Sequence, residues 1–402
     1  MTLDSPTSAL MPTYARADLA FQRGEGAYLQ TTDGAWYLDY ASGIAVTALG
    51  HAHPHLVSAL QQQAAKLWHI SNLYRIPEGE RLARRLTEAS FADSVFFCNS
   101  GVEAIEGAVK MARKYHDATG QPQRHRVICC NQAFHGRTLT GIAASGNEKY
   151  REGFAPTVEG FDHVAFNNTN ELRQAITDET AAILVEPVQG EGGIRPGGLD
   201  YLRSLRQIAD EFGLLLIFDE IQCGMGRSGK LFAHEWAEAT PDIMTLAKGL
   251  GGGFPMGAVL TTQAVADVMT PGSHGTTFGG NPLAMAVGNA ILDVMQSDGF
   301  LAGVDAVARD LWYKLVALAE RHPDVIEEVR GAGLMLGLKC VVPNGDMVAA
   351  LRGLNLLTVP AGDNVVRLLP PLIIGTAEVD EAIDKIERAC TRFGEGQSHA
   401  GE

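Results

Sequence analysis

The sequence has little of what membrane, secreted or nucleic-acid-binding proteins need. No apolar run approaches the roughly 18 residues that a membrane-spanning helix requires, and the first residues have neither the basic nor the apolar segment of a secretory signal. The 32 Lys and Arg are outnumbered by 47 Asp and Glu, and this net charge of −15 disfavours a nucleic-acid partner. We expect a cytoplasmic protein without membrane or nucleic-acid partners.

The cysteines and histidines do not form a recognisable metal or disulfide motif. The six cysteines include no C-x-x-C pair and no framework spacing, so we expect free thiols in a reducing compartment. His51, His53 and His55 alternate, but Pro54 interrupts them and no carboxylate or cysteine lies near in the sequence. We therefore predict no metal site.

The chain does contain alternating helical patterns and short apolar segments. Residues 181–185 and 214–218 are apolar on both faces, which is typical of strands in a mostly parallel sheet covered by helices. Residues 27–29 and 36–38 flank an Asp-Gly turn and predict a hairpin. The fold class is α/β, with a large domain on a mostly parallel central sheet and a smaller α+β domain.

The predicted domain bounds follow a change of pattern near residue 300. Residues 1–50 form an arm and hairpin that join the small domain, and residues 51–300 form the large domain. Residues 301–402 form the C-terminal small α+β domain, with a long helix near 304–321 and a final helix near 378–393.

Polar residues follow three predicted strands of the large domain. Glu186, Asp219 and Lys248 each stand just beyond an apolar run, and ligands bind at the carboxyl ends of parallel strands. A plain ion pair between a carboxylate and the lysine is the simplest interpretation. It does not explain the glycines at 249–253, which we expect to let the backbone pass close to a ligand. These glycines do not form a nucleotide-binding loop, because such a loop leads directly into a helix and the residues that follow do not predict one.

A further cluster of polar residues lies where the strand at 94–98 turns into a helix through Ser100 and Gly101. The first free amides of that helix would face an anion. A lysine that forms an imine, a carboxylate that pairs with a pyridinium nitrogen and a helix N-terminus that holds a phosphate are together the parts of a pyridoxal-phosphate site.

These motifs also resemble a known family, and the resemblance covers nearly the whole chain. The sequence is similar to the class III, fold type I aminotransferases, which depend on pyridoxal 5′-phosphate. The stretches that carry the resemblance are 43–54, 71–74, 99–104, 134–138, 186–193, 219–227, 247–249, 274–282 and 367–372. The large domain is then the cofactor-binding domain.

The resemblance implies the following catalytic and cofactor-binding roles. Lys248 carries the cofactor as a Schiff base and acts as the base of the proton shift, and Asp219 pairs with the pyridinium nitrogen. The other implied contacts are Ser100, Gly101 and Val102 at the phosphate, Phe134 and Ile221 on the ring faces, Gln222 at the ring oxygen, and Thr277 at the phosphate of the other subunit. The last contact implies a homodimer with its active site at the subunit interface.

Four further residues are implied in substrate binding. Arg137 would hold the substrate carboxylate that lies farthest from the reacting amine. Arg367 would hold the α-carboxylate of glutamate, and Thr276 would also contact substrate. Glu191 would mask Arg367 when a distal amine enters. The alternative is that Glu191 and Arg367 form a fixed ion pair.

The implied reaction moves the distal amine of N2-acetyl-L-ornithine to 2-oxoglutarate by a ping-pong mechanism, a step of arginine biosynthesis. Ornithine, succinylornithine, N-succinyldiaminopimelate and 4-aminobutyrate remain alternative donors. A catalytically silent cofactor-binding or scaffold protein is the alternative of a different class. Intact Lys248, Asp219 and Arg137 argue against it.

Overall fold

A computed structural model describes residues 9–398 of the 402-residue chain. Within these residues the strands are β1 Phe21–Glu25, β2 Tyr28–Thr31, β3 Trp36–Asp39, β4 Ser94–Cys98, β5 Arg126–Cys130, β6 Phe161–Val164, β7 Thr180–Val185, β8 Val188–Gln189, β9 Arg195–Pro196, β10 Leu215–Asp219, β11 Ile243–Leu246, β12 Gly257–Thr261, β13 Ile326–Ala332, β14 Met335–Cys340, β15 Leu356–Leu357, β16 Val359–Ala361 and β17 Val365–Leu368.

The helices alternate with these strands through much of the chain. They are α1 Ser42–Ala45, α2 Pro54–Ala64, α3 Pro77–Glu88, α4 Gly101–Ala118, α5 Leu139–Ala144, α6 Glu148–Arg151, α7 Thr169–Ala175, α8 Leu199–Phe212, α9 Gln263–Ala266, α10 Pro282–Met295, α11 Phe300–Arg321, α12 Asn344–Gly353 and α13 Thr376–Ser398, with short 3-10 helices at Ala233–Trp236 and Lys248–Leu250. None of the helices in the described part of the chain has the length and apolarity needed to cross a bilayer.

The central sheet has seven strands in the order β4-β12-β11-β10-β7-β5-β6. Strand β12 runs antiparallel to both of its neighbours, whereas β11, β10, β7, β5 and β6 pair in parallel. The α/β class with a mostly parallel sheet is therefore confirmed.

Alternate residues of one central strand pack against helices on opposite faces of the sheet. Ile217 of β10 lies in a buried cluster with Ile105 of α4. Leu216 and Phe218 lie in a second cluster with Leu205 of α8. Burial on both faces explains the continuous apolar runs, and each such side chain contributes about 1.5–3 kcal/mol.

The N-terminal hairpin and the C-terminal region are joined by backbone pairing. Strands β2 and β3 pair antiparallel, as the hairpin prediction required. Strand β3 also pairs in parallel with β15, which places Leu38 beside Leu356. A second sheet, β13-β14-β17-β16, follows in the C-terminal region. The domain bounds at residues 50 and 300 stay a prediction.

Helix α10 and strand β12 were not predicted. Nearly every residue of α10 is buried, including Asn289, so the helix shows no polar face for periodicity to reveal. Strand β12 is short and fully buried as well. Buried elements of this kind cannot be typed from the apolar pattern alone.

Candidate active site

A cavity of about 450 Å³ opens at the carboxyl edge of the central sheet. Its lining comes from the ends of β4, β5, β7, β10 and β11 and from the first turn of α4. Of the predicted site residues, those that line it are Ser100, Gly101, Val102, Phe134, Arg137, Asp219, Ile221, Gln222 and Lys248.

Lys248 enters the cavity just after β11 ends. Its φ is 39°, in the left-handed region that a non-glycine residue rarely adopts, and such strain concentrates at functional sites. Burial lowers the pKa of the amine to about 8, against the attraction of Glu191. Below pH 8 the amine is mostly protonated, and above pH 8 it is mostly neutral and able to act as a nucleophile or base.

The glycines after Lys248 serve the local fold more than the cavity. A Cβ on Gly251 would lie 2.0 Å from the carbonyl oxygen of Phe254, and one on Gly252 would lie 2.4 Å from Ile291. Of the glycines at 249–253, Gly253 alone lines the cavity. Our expectation that these glycines bring the backbone close to a ligand therefore applies to one of them.

Asp219 is buried at the end of β10 and accepts three hydrogen bonds. Its Oδ2 accepts from His135 Nδ1 at 2.8 Å. Its Oδ1 accepts from the Ile221 amide at 3.0 Å and from Thr245 Oγ1 at 3.2 Å. These three donors fix the position of the Asp219 carboxylate at the cavity wall.

His135 was not assigned a role from the sequence, although it lies within a stretch that carried the resemblance. Burial alone would lower its pKa, but the hydrogen bond and charge of Asp219, together with Glu186, raise the pKa above its usual value. A protonated His135 stabilises the negative charge of Asp219. The sequence signal for this residue was that His135 follows β5, because the carboxyl ends of the parallel strands meet at the same edge of the sheet.

The first turn of α4 presents free amides to the cavity. Ser100 Oγ accepts from the Glu103 amide at 3.4 Å, and Glu103 Oε2 accepts from the Asn99 amide at 2.5 Å. This reciprocal cap uses neither the Gly101 nor the Val102 amide, which remain available for an anion. A Cβ on Gly101 would lie 2.9 Å from the Ile221 side chain, so a larger residue there would require Ile221 to shift.

Glu186 is a second buried carboxylate at the cavity wall that the sequence analysis left without a role. It accepts from the Phe134 amide at 2.9 Å and from the Gly190 amide at 3.2 Å. Burial raises its pKa to about 7, in spite of the opposing charge of His135. Glu186 therefore ties the segment of Phe134 to the segment that carries Glu191.

The structure brings Glu191 and Arg367 together beside the cavity. Arg367 Nη1 donates to Glu191 Oε1 at 2.5 Å and Nη2 donates to Oε2 at 3.1 Å, a bidentate pair. Arg367 Nη1 also lies 3.4 Å from Gln222 Oε1. Arg367 is 1% exposed, so removal of Glu191 would leave a buried guanidinium largely uncompensated.

Arg137 lies at the cavity with its donors uncommitted. Its guanidinium carbon is 4.3 Å from the centroid of the Tyr150 ring and 5.7 Å from that of Phe134. Arg137 is exposed, and within residues 9–398 its guanidinium forms no ion pair. A planar guanidinium held by aromatic faces suits a substrate carboxylate.

Neither of the two predicted threonines lines this cavity in a single chain. Thr276 Oγ1 accepts from Asn99 Nδ2 at 3.2 Å and from the Gly279 amide at 3.1 Å, so it supports the loop. Thr277 is exposed and does not line the cavity.

Two of the three alternating histidines have carboxylate partners close by. His51 pairs with Asp39 at 2.8 Å and His55 with Asp293 at 2.9 Å. In the described segment, no three His, Cys, Asp or Glu side chains form a group that could hold a metal ion.

A lysine amine, a buried aspartate and a helix N-terminus thus meet in one cavity, an arrangement that defines a pyridoxal-phosphate-dependent enzyme of fold type I. The family Aminotransferase class-III matches residues 11–390. The chain belongs to the class-III aminotransferases and is a pyridoxal-phosphate-dependent transaminase that acts on amino-acid and keto-acid substrates.

Known relatives cover the chain almost completely. An acetylornithine aminotransferase of Mesorhizobium japonicum is 62% identical over 379 residues, which are 94% of this chain and 95% of the relative. The N-acetylornithine aminotransferase structure from Stenotrophomonas maltophilia K279a is 38% identical with a TM-score of 0.83, covering 95% of this chain and 98% of that one. An ornithine aminotransferase structure from Toxoplasma gondii, with partial occupancy of PLP at its active site, is 31% identical with a TM-score of 0.92. The match covers 96% of this chain and 94% of that one.

We predict that Lys248 in the apoprotein reacts with a small amine-directed label with a pH midpoint of about 8, well below the ordinary lysine value of 10.5. Peptide mass spectrometry at a series of pH values measures the rate at each lysine. The exposed Lys230 serves as an internal reference in the same samples. A midpoint for Lys248 near 10.5 would contradict the effect of burial.

Proposed function

We propose that this transaminase moves the distal amine of N-acetylornithine to 2-oxoglutarate and so forms N-acetylglutamate semialdehyde and glutamate. The observation that carries the proposal is the bidentate pair of Glu191 and Arg367 beside the Lys248 cavity. The name of the 62% identical relative supports the same donor. The reaction would serve arginine biosynthesis in the cytoplasm, and six free, buried cysteines suit a reducing compartment.

The cavity residues fit the cofactor by their donor set. Lys248 would hold it covalently, Asp219 would keep the proton on its ring nitrogen, and the first turn of α4, through Ser100, Gly101 and Val102, would bind its phosphate. Phe134 and Ile221 would flank the ring, with Gln222 near the ring oxygen. Bound pyridoxal phosphate supplies the electron sink for the negative charge that develops when the substrate loses a proton.

Lys248 would be the acid–base group of the proton shift. As a free amine, Lys248 Nζ would take the proton from the substrate carbon that bears the reacting amine. The lowered pKa of about 8 lets the amine accept and return a proton near neutral pH. His135 would act through Asp219, whose charge it stabilises.

Two arginines would let one cavity accept two different amino donors. Arg137 would bind the α-carboxylate of N-acetylornithine and, in the second half-reaction, the γ-carboxylate of glutamate. Arg367 would bind the α-carboxylate of glutamate only after Glu191 leaves it. While Glu191 covers Arg367, the cavity offers one cation fewer, which suits a donor with no carboxylate beside its reacting amine.

A second copy of the chain would complete the site. Thr277 is exposed in one chain, near the exposed side chains of Leu73, Tyr74 and Phe278. Asn72 donates to the carbonyl oxygen of Gly279 at 2.9 Å and so holds these two segments together. We propose that this surface is the homodimer interface and that Thr277 reaches the phosphate bound by the partner subunit.

Ornithine is the second candidate donor. Its distal amine would meet the same Glu191–Arg367 pair, and the structural match to the Toxoplasma gondii ornithine aminotransferase favours it. The two donors differ at the α-amine, which is charged in ornithine and acylated in N-acetylornithine.

We predict the highest kcat/KM for N-acetylornithine among N-acetylornithine, ornithine and 4-aminobutyrate, each measured with saturating 2-oxoglutarate. Arg137 favours a donor with an α-carboxylate at its far end, and an acylated α-amine places no second cation near that guanidinium. A preference of more than about tenfold for 4-aminobutyrate, about 1.4 kcal/mol in transition-state binding, would refute the proposal.

For the masking role of Glu191, we predict that Glu191→Ala slows the half-reaction with N-acetylornithine about tenfold more than the half-reaction with glutamate. Uncovered Arg367 would repel the reacting cationic amine of the first donor but would still bind the carboxylate of the second. Single-turnover absorbance measurements follow each half-reaction separately. Glu211→Ala, which removes an exposed ion pair with Arg173, is the control. Equal losses in both half-reactions would discard the switch.

A further inference from the structure

The turn between β16 and β17 is built from two left-handed residues. Asp363 has φ 55° and Asn364 has φ 54°, and the Val365 amide donates to the carbonyl oxygen of Gly362 at 3.3 Å. This hydrogen bond closes a tight β-turn at residues 362–365 with two left-handed central residues, a conformation that Asp and Asn tolerate well. The turn therefore has a defined shape before any side-chain contact is considered.

The carboxylate of Asp363 on that turn forms ion pairs with three cationic side chains. Its Oδ2 accepts from Arg195 at 3.0 Å and from Arg330 at 2.6 Å, and its Oδ1 accepts from Lys339 at 2.5 Å. The hydrogen bonds from Lys339, Arg330 and Arg195 outweigh the effect of burial and hold the pKa of Asp363 well below its usual range. One carboxylate thus joins β9, β13 and β14 to the β16–β17 turn.

Both partners of the Glu191–Arg367 pair are attached to this turn. The Gly362 amide donates to the carbonyl oxygen of Glu191 at 2.8 Å. Arg367 Nη2 donates to the carbonyl oxygen of Pro360 at 3.0 Å, in the strand that leads into the turn.

Packing and chain connectivity reinforce these two attachments. A Cβ on Gly193 would lie 2.8 Å from the carbonyl oxygen of Gly362 and 3.1 Å from Asp363 Cβ, so the two segments pack in direct contact. Arg195, one of the cations on Asp363, lies four residues after Glu191 on the same segment. The segment 191–195 is therefore attached to the turn at both ends. The Gly362 amide holds it at Glu191, and Asp363 holds it at Arg195.

We propose that Asp363 is a positioning residue that holds the backbone of Glu191 opposite Arg367, and that it thereby sets the preference of the site between distal amines and glutamate. This inference rests on the proposed function, because it assumes that Glu191 masks Arg367 for one donor. Without the charge of Asp363, Arg195, Arg330 and Lys339 repel one another. The segment that carries Glu191 then loses its ion pair to the turn through Arg195, and only the backbone hydrogen bond from Gly362 and the packing of Gly193 still hold it.

The test uses Asp363→Asn, which keeps the size of the side chain and its tolerance of positive φ but removes the charge. Single-turnover rates with N-acetylornithine and with glutamate are measured for the wild-type holoenzyme, Asp363→Asn, Glu191→Ala and the double variant. Arg195→Gln, which removes a single partly exposed cation, is a second and milder probe. Asp162→Asn, which breaks a comparable ion pair with Arg126 on the central sheet, is the control.

We expect Asp363→Asn to change the ratio of the two rates about fivefold in the same direction as Glu191→Ala, a size typical of coupled neighbours. Arg195→Gln should change it less, and Asp162→Asn should leave it unchanged. In the Glu191→Ala background, Asp363→Asn should leave the ratio of the two rates almost unchanged, because the Glu191 side chain that Asp363 positions is gone. A merely structural role would lower both rates together and would persist in that background.

Two groups of results would overturn the inference, and each points to a different failure. If Glu191→Ala changes the ratio but Asp363→Asn does not, or if the effect of Asp363→Asn survives in the double variant, the positioning role alone is wrong. If the wild-type enzyme does not react with N-acetylornithine, or if Glu191→Ala leaves the ratio unchanged, the proposed donor or the switch fails and the inference falls with it.

Discussion

Asp219 and Lys248 leave two parallel strands that pair with each other, and the geometry of the cavity depends on this pairing. The register places Asp219 opposite Thr245, whose hydroxyl donates to the carboxylate, while Lys248 follows three residues later. The carboxyl end of β5 adds His135 on the other carboxylate oxygen. A slip of one residue would turn these side chains to the opposite face of the sheet.

Around this pair, the remaining parts of the site come from segments far apart in the chain. The first turn of α4 supplies free amides, and Glu186 joins the backbone of Phe134 to that of Gly190. Arg367 comes from the C-terminal sheet and meets Glu191 across the cavity edge. The proposed substrate-binding part therefore depends on how the C-terminal strands pack against the central sheet, whereas the proposed cofactor-binding part belongs to the central sheet and α4.

The sequence was informative where pattern and chemistry coincide. Apolar runs followed by Asp219, Glu186 and Lys248 predicted the central strands, and the edge of the sheet followed from the rule for parallel strands. Residue roles such as that of Arg367 came from family resemblance, because its partner Glu191 lies 176 residues away and no local pattern links them. The hydrogen bond from His135 to Asp219 depends in the same way on tertiary packing.

Other features were hidden because they are buried or depend on backbone conformation. Helix α10 has no polar face, so periodicity could not show it. The three-cation cluster on Asp363 joins strands from distant parts of the sequence. The packing roles of Gly251 and Gly252 depend on close approaches that only coordinates reveal.

The proposed chemistry requires that Lys248 is the residue to which the cofactor binds covalently. Borohydride reduction of the holoenzyme makes a lysine–cofactor bond permanent, and peptide mass spectrometry then locates it. We predict one phosphopyridoxyl group, on Lys248, and loss of the visible absorbance band in Lys248→Ala saturated with pyridoxal phosphate. A label on another lysine, or a visible band that survives in Lys248→Ala, would contradict the account.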